Sequence, residues 1–502
     1  MPAIQRPGRL IAAAVLAGVM TGCGSTVGIA DRSSGARAVG ADGLSALNLH
    51  DEATVPASGA TAPASAVSDS ASSTGPEKGV ASSAGELNDP LRASGSNAQA
   101  PGAAGPVQIG FVVTKNNAGA GAALGFNVNN GDERAVVQTL VDAANKAGGL
   151  LHHPITPIYY ELDPSTSKSF DTLGQEVCAA FTQDAHVTAA LGTALFDTAN
   201  TCLSSRGVPA INGSTQSSYS EAELGRMSSV VVYGVPPTRQ ARGIVAAVER
   251  QGFFSRRPKV GVVTIDAPRY RDAVESTLLP QLRGAGAQAE DANVVYAPAV
   301  TAVSDVASVA TSMQSAVLRM RSAGVTHVVF LTNAAVYALL FMEQANQQGS
   351  AFKYALSSND APAVLGSQGV PEKQLAGVVA AGWDPYLDVS PGKAGGTPSG
   401  RGACDRTLAK LKLQPGSNGE WVAHMHCDAF HALTEASGKA VGALSRASLM
   451  RALSNLGPID STDTWKASIF PTHRWAVAGV RASHYAQACS CFLYVDKRLD
   501  SV

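Results

Sequence analysis

Residues 230–250 read VVVYGVPPTRQARGIVAAVER. Val230–Tyr233 is a short apolar strand. Pro236-Pro237 cannot continue it, because proline lacks the donor that a strand ladder needs. Thr238–Gln251 then reads as a helix. The proline pair is a crossover point, with strand and helix alternating before it and alternating afresh after it.

Upstream, Val107–Val113 is a compact apolar strand, and Asp132–Lys146 a helix ended by Gly148-Gly149. Ile155–Leu162 is a strand, Phe170–Phe181 a helix, Val187–Leu191 a strand, Ala199–Arg206 a helix and Val208–Ile211 a strand. Downstream, strands are expected at Lys259–Thr264, Ala292–Tyr296, Thr326–Leu331, Lys353–Leu356 and Gly377–Ala381. Helices fall at Tyr270–Gly284 and Ala334–Gln348, with Val306, Val309, Met313, Val317 and Met320 on one face of another. Short, wholly apolar strands separated by helices are the pattern of parallel sheets covered on both faces. The predicted fold class is therefore α/β, with two doubly wound parallel-sheet lobes, joined near 236 and separated by a cleft.

The part of the chain before this alternation has a different composition. No Phe, Tyr or Trp precedes Phe111, and residues 24–106 are Ala, Ser, Gly, Thr and Pro with scattered charges. Such a segment cannot bury enough apolar surface to offset the entropy of ordering, so it is expected to be a disordered tether. A coil of that length spans about 50 Å. Ahead of it stand Arg6 and Arg9, an apolar run Leu10–Met20, then Thr21-Gly22-Cys23. The run is shorter than the roughly 20 residues that cross a bilayer. It reads as a signal peptide over residues 1–23, and Met20-Thr21-Gly22-Cys23 resembles a bacterial lipobox, with Cys23 the lipidation site. Export, and anchoring to the outer face of a membrane through that lipid, are the expectations. Only 15% of the 502 residues are charged, the net charge is −1, and no Lys/Arg block occurs, so nucleic acid is not an expected partner.

Several segments in fixed order resemble the type I periplasmic solute-binding proteins of the branched-chain amino acid ABC transporters, the leucine-binding-protein-like family. They are Ala144–Gly149 with Pro154–Asp163 (PITPIYYELD), Val208–Gln216 (VPAINGSTQ), Gly261–Tyr270 (GVVTIDAPRY), and Thr326–Leu331 with Asn333–Gln348. The likeness runs over roughly residues 107–502. It implies three chain crossings, with one lobe formed by 107–235 plus 384–468 and the other by 236–383 plus 469–502. It also implies a small polar ligand of amino acid-like type, a membrane-embedded ABC permease as partner, no cofactor and no enzymatic activity. A ligand-sensing ectodomain without transport, or an enzyme on the same scaffold, are the alternatives.

Carried over residue by residue, the resemblance puts Thr193, Ser214, Thr215 and Gln216 of one lobe, and Tyr270, Asn333 and Ala334 of the other, at the ligand. Each has a structural reading as well: turn chemistry for Ser214–Gln216, core packing for Tyr270, a helix cap for Asn333 and Ala334. In the family a Gly-Pro-x-Ser-Ser loop holds the ligand's carboxylate, but here Gly192-Thr193-Ala194-Leu195-Phe196 stands in its place. Leu195 and Phe196 replace the serines, which argues against a branched-chain amino acid. Gly119-x-Gly121-x-x-x-Gly125 departs from dinucleotide-binding spacing, and the acidic residues Glu161 and Asp163 come too late for a ribose contact.

His424, His426, Cys427, Asp428 and His431 suggest metal ligands, but they share one helix, whose side chains diverge, so no metal site is expected from them. Ser165-x-x-Lys168 lacks the partner motifs of a penicillin-recognising enzyme. Without Cys23, six of the seven cysteines remain, an even number that suits disulfides in an exported chain. Cys178 and Cys202 lie on consecutive helices flanking one strand, relatives carry a similar bridge, and this pair is expected to be joined. Cys404, Cys427, Cys489 and Cys491 are left with their pairing open.

Overall fold

The computed structural model describes residues 105–116, 118–119 and 129–502. The signal segment with Cys23, the tether as far as residue 104, and Gly121 and Gly125 lie outside the described residues.

The first lobe is built on β1 (Val107–Thr114), α1 (Glu133–Lys146), β2 (Ile155–Leu162), α2 (Phe170–Ala179), β3 (Ala189–Gly192), α3 (Asp197–Ser205), β4 (Ala210–Asn212), α4 (Glu221–Arg226) and β5 (Val230–Val232). Its five strands run in the order β2-β1-β3-β4-β5, and all pairings are parallel. Side chains alternate between the two faces, so each face has its own core. One contains Phe111, Val137, Leu191 and Ile211; the other contains Val112, Val177, Phe181 and Leu203. Asp132 begins α1 by accepting from the Ala135 N–H at 2.9 Å.

The chain enters the second lobe through α5 (Pro237–Glu249) and continues as β6 (Lys259–Ile265), α6 (Pro268–Ala273), α7 (Leu279–Gly284), β7 (Gln288–Ala297), α8 (Val306–Ser322), β8 (His327–Leu331), α9 (Ala335–Gln347), β9 (Lys353–Ser357), α10 (Pro362–Ser367), α11 (Glu372–Leu375) and β10 (Val379–Gly382). It returns through α12 (Pro385–Asp388), α13 (Arg401–Leu408), α14 (Asn418–Lys439) and α15 (Arg446–Leu453), then the ribbon β11 (Gly457–Ile459) and β12 (Ala467–Ile469), and ends in β13 (Gly479–Ala486), β14 (Cys491–Tyr494) and β15 (Asp500–Ser501). The second sheet runs β14-β13-β10-β9-β8-β6-β7, with β15 on β13. Strands β7 to β10 are mutually parallel, as the sequence predicts. The antiparallel strands β13, β14 and β15 are an addition that the sequence reading does not contain.

Val235, Trp383, Val477 and Val480 form a separate small cluster where the chain passes between the lobes. Ile469, Trp475 and Ala476 pack in the first lobe's cores, beyond the 468/469 division expected above. Two glycines permit the tight passages: a Cβ on Gly234 would lie 1.5 Å from the Ser217 carbonyl oxygen, and one on Gly382 2.2 Å from Asp388 Oδ2. No helix among the described residues is long and apolar enough to cross a membrane.

Candidate functional site

Strands β3, β4, β6 and β8 all deliver their C-terminal ends to one cavity of about 580 Å³ between the two sheets. This is where open α/β sheets place their ligand crevices. From the first lobe Thr193, Ser214 and Gln216 line it; from the second, Tyr270, Asn333 and Ala334. Six of the seven residues expected at the ligand thus share one cavity.

Thr215 does not line it. The side chain is fully buried, and its Oγ1 donates to Asp384 Oδ2 at 2.7 Å while its carbonyl accepts from Trp383 Nε1 at 3.2 Å. These bonds tie the loop to the second passage between lobes.

The walls are largely apolar. Phe170 stacks on Phe196 with ring centroids 4.6 Å apart, and Tyr386 stacks on Trp421 at 5.2 Å and 5° between planes. Tyr386 and Trp421 pack with Ala335, Ala361 and Leu387 in a cluster drawn from both sides of the cavity. Phe170, Tyr386 and Trp421 were not signalled by the sequence, because nothing local marks a residue that reaches the cleft from a helix start or from a segment after the crossing.

Arg269, next to the expected Tyr270, is also new. It extends from the second lobe to the first, pairing with Asp197 and with Glu223 at 3.3 Å, and Nη1 donates to the Ser218 carbonyl at 2.6 Å. Its guanidinium lies over the Tyr219 ring, 5.1 Å from the centroid. Burial works against its charge, but Asp197 and Glu223 more than compensate and hold its pKa above the ordinary value. Two further bonds cross between the lobes: Phe170 N–H donates to the Thr301 carbonyl at 2.8 Å, and Gln216 Nε2 to the Asn359 carbonyl at 3.1 Å. The Arg269 charge is thus met within the protein.

The other charged residues on the lining are Asp197, the partner of Arg269, and Asp171, which accepts from the Thr198 hydroxyl. Tyr270 is buried, and its hydroxyl, beside Ser218, makes no hydrogen bond of standard geometry; burial pushes its pKa well up. Helices α3 and α9 both start at the cavity, behind Phe196 and Ala334, and neither has a side-chain cap. The first N–H groups of a helix have no partner within it.

The His/Cys run on α14 diverges as a helix requires. His426 Nε2 lies 3.0 Å from Glu133 Oε2, and Cys427 is bonded to Cys404. Asp428 accepts from Ser461 Oγ at 2.5 Å and from Thr462 N–H at 2.6 Å, while burial pushes its carboxyl up to about 6. Cys178 is joined to Cys202, and Cys489 to Cys491.

No protein-family model matches the sequence, and no curated protein matches it significantly. Solved structures do resemble the fold. A solute-binding protein of an ABC transporter from Rhodopseudomonas palustris BisB5, in complex with 3,4-dihydroxybenzoic acid, superposes with a TM-score of 0.56 at 15% identity, over 79% of this chain and 97% of that one. The branched-chain amino acid transporter substrate-binding protein of Streptococcus pneumoniae, in complex with isoleucine, gives 0.53 at 15% identity, over 79% and 100%. A fatty acid ABC transporter substrate-binding protein from Thermomonospora curvata gives 0.53 at 15%, over 79% and 92%. With two parallel-sheet lobes, three passages between them and a cavity at the facing strand ends, the chain has the fold of the type I periplasmic binding proteins.

Proposed function

We propose that this chain is an extracytoplasmic solute-binding protein that encloses a small, largely apolar molecule, an aromatic acid or a short fatty acid, and presents it to a membrane-embedded ABC permease. The observation that carries the reading is the wall of the cavity: two stacked aromatic pairs, with Arg269 already paired to Asp197 and Glu223. A zwitterionic amino acid needs two charged partners that are not otherwise engaged, and burying either charge unpaired is costly. The walls therefore favour an apolar ligand over the polar, amino acid-like one that the sequence resemblance implies. Fold neighbours are described with benzoate-type and fatty-acid ligands as well as with isoleucine, which is consistent with that choice.

In this reading the ligand's apolar body lies against Phe170, Phe196 and Trp421. Its acceptor end meets Thr193, Ser214 or the N–H groups at the start of α3 and α9, where helix dipoles favour negative charge. Tyr270 donates its hydroxyl, with Gln216 and Asn333 at the rim. Lipidation at Cys23 would hold the domain at the membrane through the 24–106 tether.

Thermal-shift screening of the chain against hydroxybenzoates, short fatty acids and branched-chain amino acids tests the ligand class. Stabilisation by the first two groups is expected, and a response to amino acids alone would overturn the apolar assignment. For the anchor, a Cys23→Ser variant should leave the membrane fraction; equal retention would contradict lipidation.

A further inference from the structure

Helices α13 and α14 bring together three groups that the sequence keeps apart. His424 is buried, and its Nε2 lies 2.8 Å from Asp405 Oδ1 on α13. Glu420 is four residues before His424, so both lie on one face of α14. One ligand atom from each of Asp405, Glu420 and His424 lies within 4.8 Å of the other two. Donors on a tetrahedral ion with bonds of about 2.1 Å are about 3.4 Å apart, so small side-chain rotations close the set.

The surroundings hold that set in place. The Cys404–Cys427 disulfide joins the two helices beside it, one residue from Asp405 and three from His424, which fixes how the helices face each other. On the other side of the imidazole, Asp463 Oδ1 lies 3.8 Å from His424 Nδ1. Asp463 is fully buried, its Oδ1 is 3.4 Å from Arg401 Nη2, and its Oδ2 has no hydrogen-bond partner. At that distance Asp463 sits behind the imidazole without a direct hydrogen bond to it.

We infer that Asp405, Glu420 and His424 form a site for a divalent cation of the zinc type, with the remaining position open to water. One imidazole and two carboxylates suit a borderline ion that accepts both nitrogen and oxygen, whereas calcium and magnesium favour oxygen alone. The site belongs to the first lobe and is separate from the cleft, although Trp421, which follows Glu420, lines the cleft wall. One helix cannot complete a metal site by itself, and here the further ligand comes from α13.

Equilibrium dialysis of the chelator-treated full chain against Zn²⁺, with metal counted by mass spectrometry, should give one zinc per chain. Asp405→Asn, at an exposed position, and Glu420→Gln should each weaken retention by roughly tenfold or more. His431→Gln, on the same helix but outside the set, should leave it unchanged. No retained zinc, retention unaffected by Asp405→Asn, or equal retention of Ca²⁺ would overturn the assignment.

Discussion

Arg269→Gln tests whether the bonds between lobes set the balance of open and closed forms. The guanidinium, with its side chain 18% exposed, pairs with Asp197 and Glu223 and donates to the Ser218 carbonyl, all on the opposite lobe. The Asp197 side chain is 55% exposed, so solvent screens that pair and it contributes little. The less exposed contacts to Glu223 and Ser218 dominate, and hydrogen bonds to a charged group contribute about 1.5–3 kcal/mol. Glutamine is shorter and neutral and loses most of this. A loss of about 2 kcal/mol shifts the open-to-closed ratio roughly 30-fold. Because the cavity is complete only when the lobes meet, apparent ligand affinity should fall by up to the same factor. Small-angle scattering of ligand-free protein reads the shift directly: the variant should show a larger radius of gyration than the parent, and saturating ligand should restore the smaller value. An unchanged radius and unchanged affinity would refute the reasoning.

Tyr270→Ala should weaken binding by about 1–3 kcal/mol, the range for losing a buried anchor, with little change in far-UV circular dichroism; calorimetric titration measures it. Replacing Cys178 and Cys202 by serine together should lower stability by about 3 kcal/mol on the chain-entropy model, read as a shifted denaturant midpoint. Stability should rise as pH falls from 7.5 towards 5. Burial pushes Asp360 and Asp428 up to about 6, so the folded chain binds protons that the unfolded chain, with carboxyls near 3.9, does not. At lower pH the trend reverses through Glu133: burial raises its carboxyl, but His426, Thr114 and Asn130 outweigh that and hold it below the usual range, so its contribution is lost on protonation. Melting curves across this range check the sign, and a steady decline from pH 7.5 to 5 would contradict it.

The alternation of strands and helices was legible because burial on both faces leaves a purely local mark, an unbroken apolar run such as Val260–Val263 or Val328–Leu331. The β13–β14 hairpin was not, since its strands pair antiparallel at an edge and carry Arg481, Ser483 and His484 among their apolar residues. For the cleft, the resemblance pointed to loops after strand C-termini, which converge whatever side chains they bear. Thr215 shows where that guidance ends: residues 214 and 216 reach the cavity, and the residue between them serves the passage. Arg269 and Asp405 meet groups on other elements, 46 and 19 residues away, and no spacing rule could have paired them with Glu223 or His424.

The cluster of Val235, Trp383 and Val477 constrains how occupancy of the cleft is communicated. Three strands of chain pinned at one packed point resist sliding and twisting, which would disturb all three, more than they resist bending. Filling the cavity therefore changes mainly one coordinate, the separation of the two rims. A partner resting on both rims can sense that separation without touching the bound molecule. A readout of that kind would not depend on the chemistry of the walls, including the apolar Leu195 and Phe196 that line the cavity.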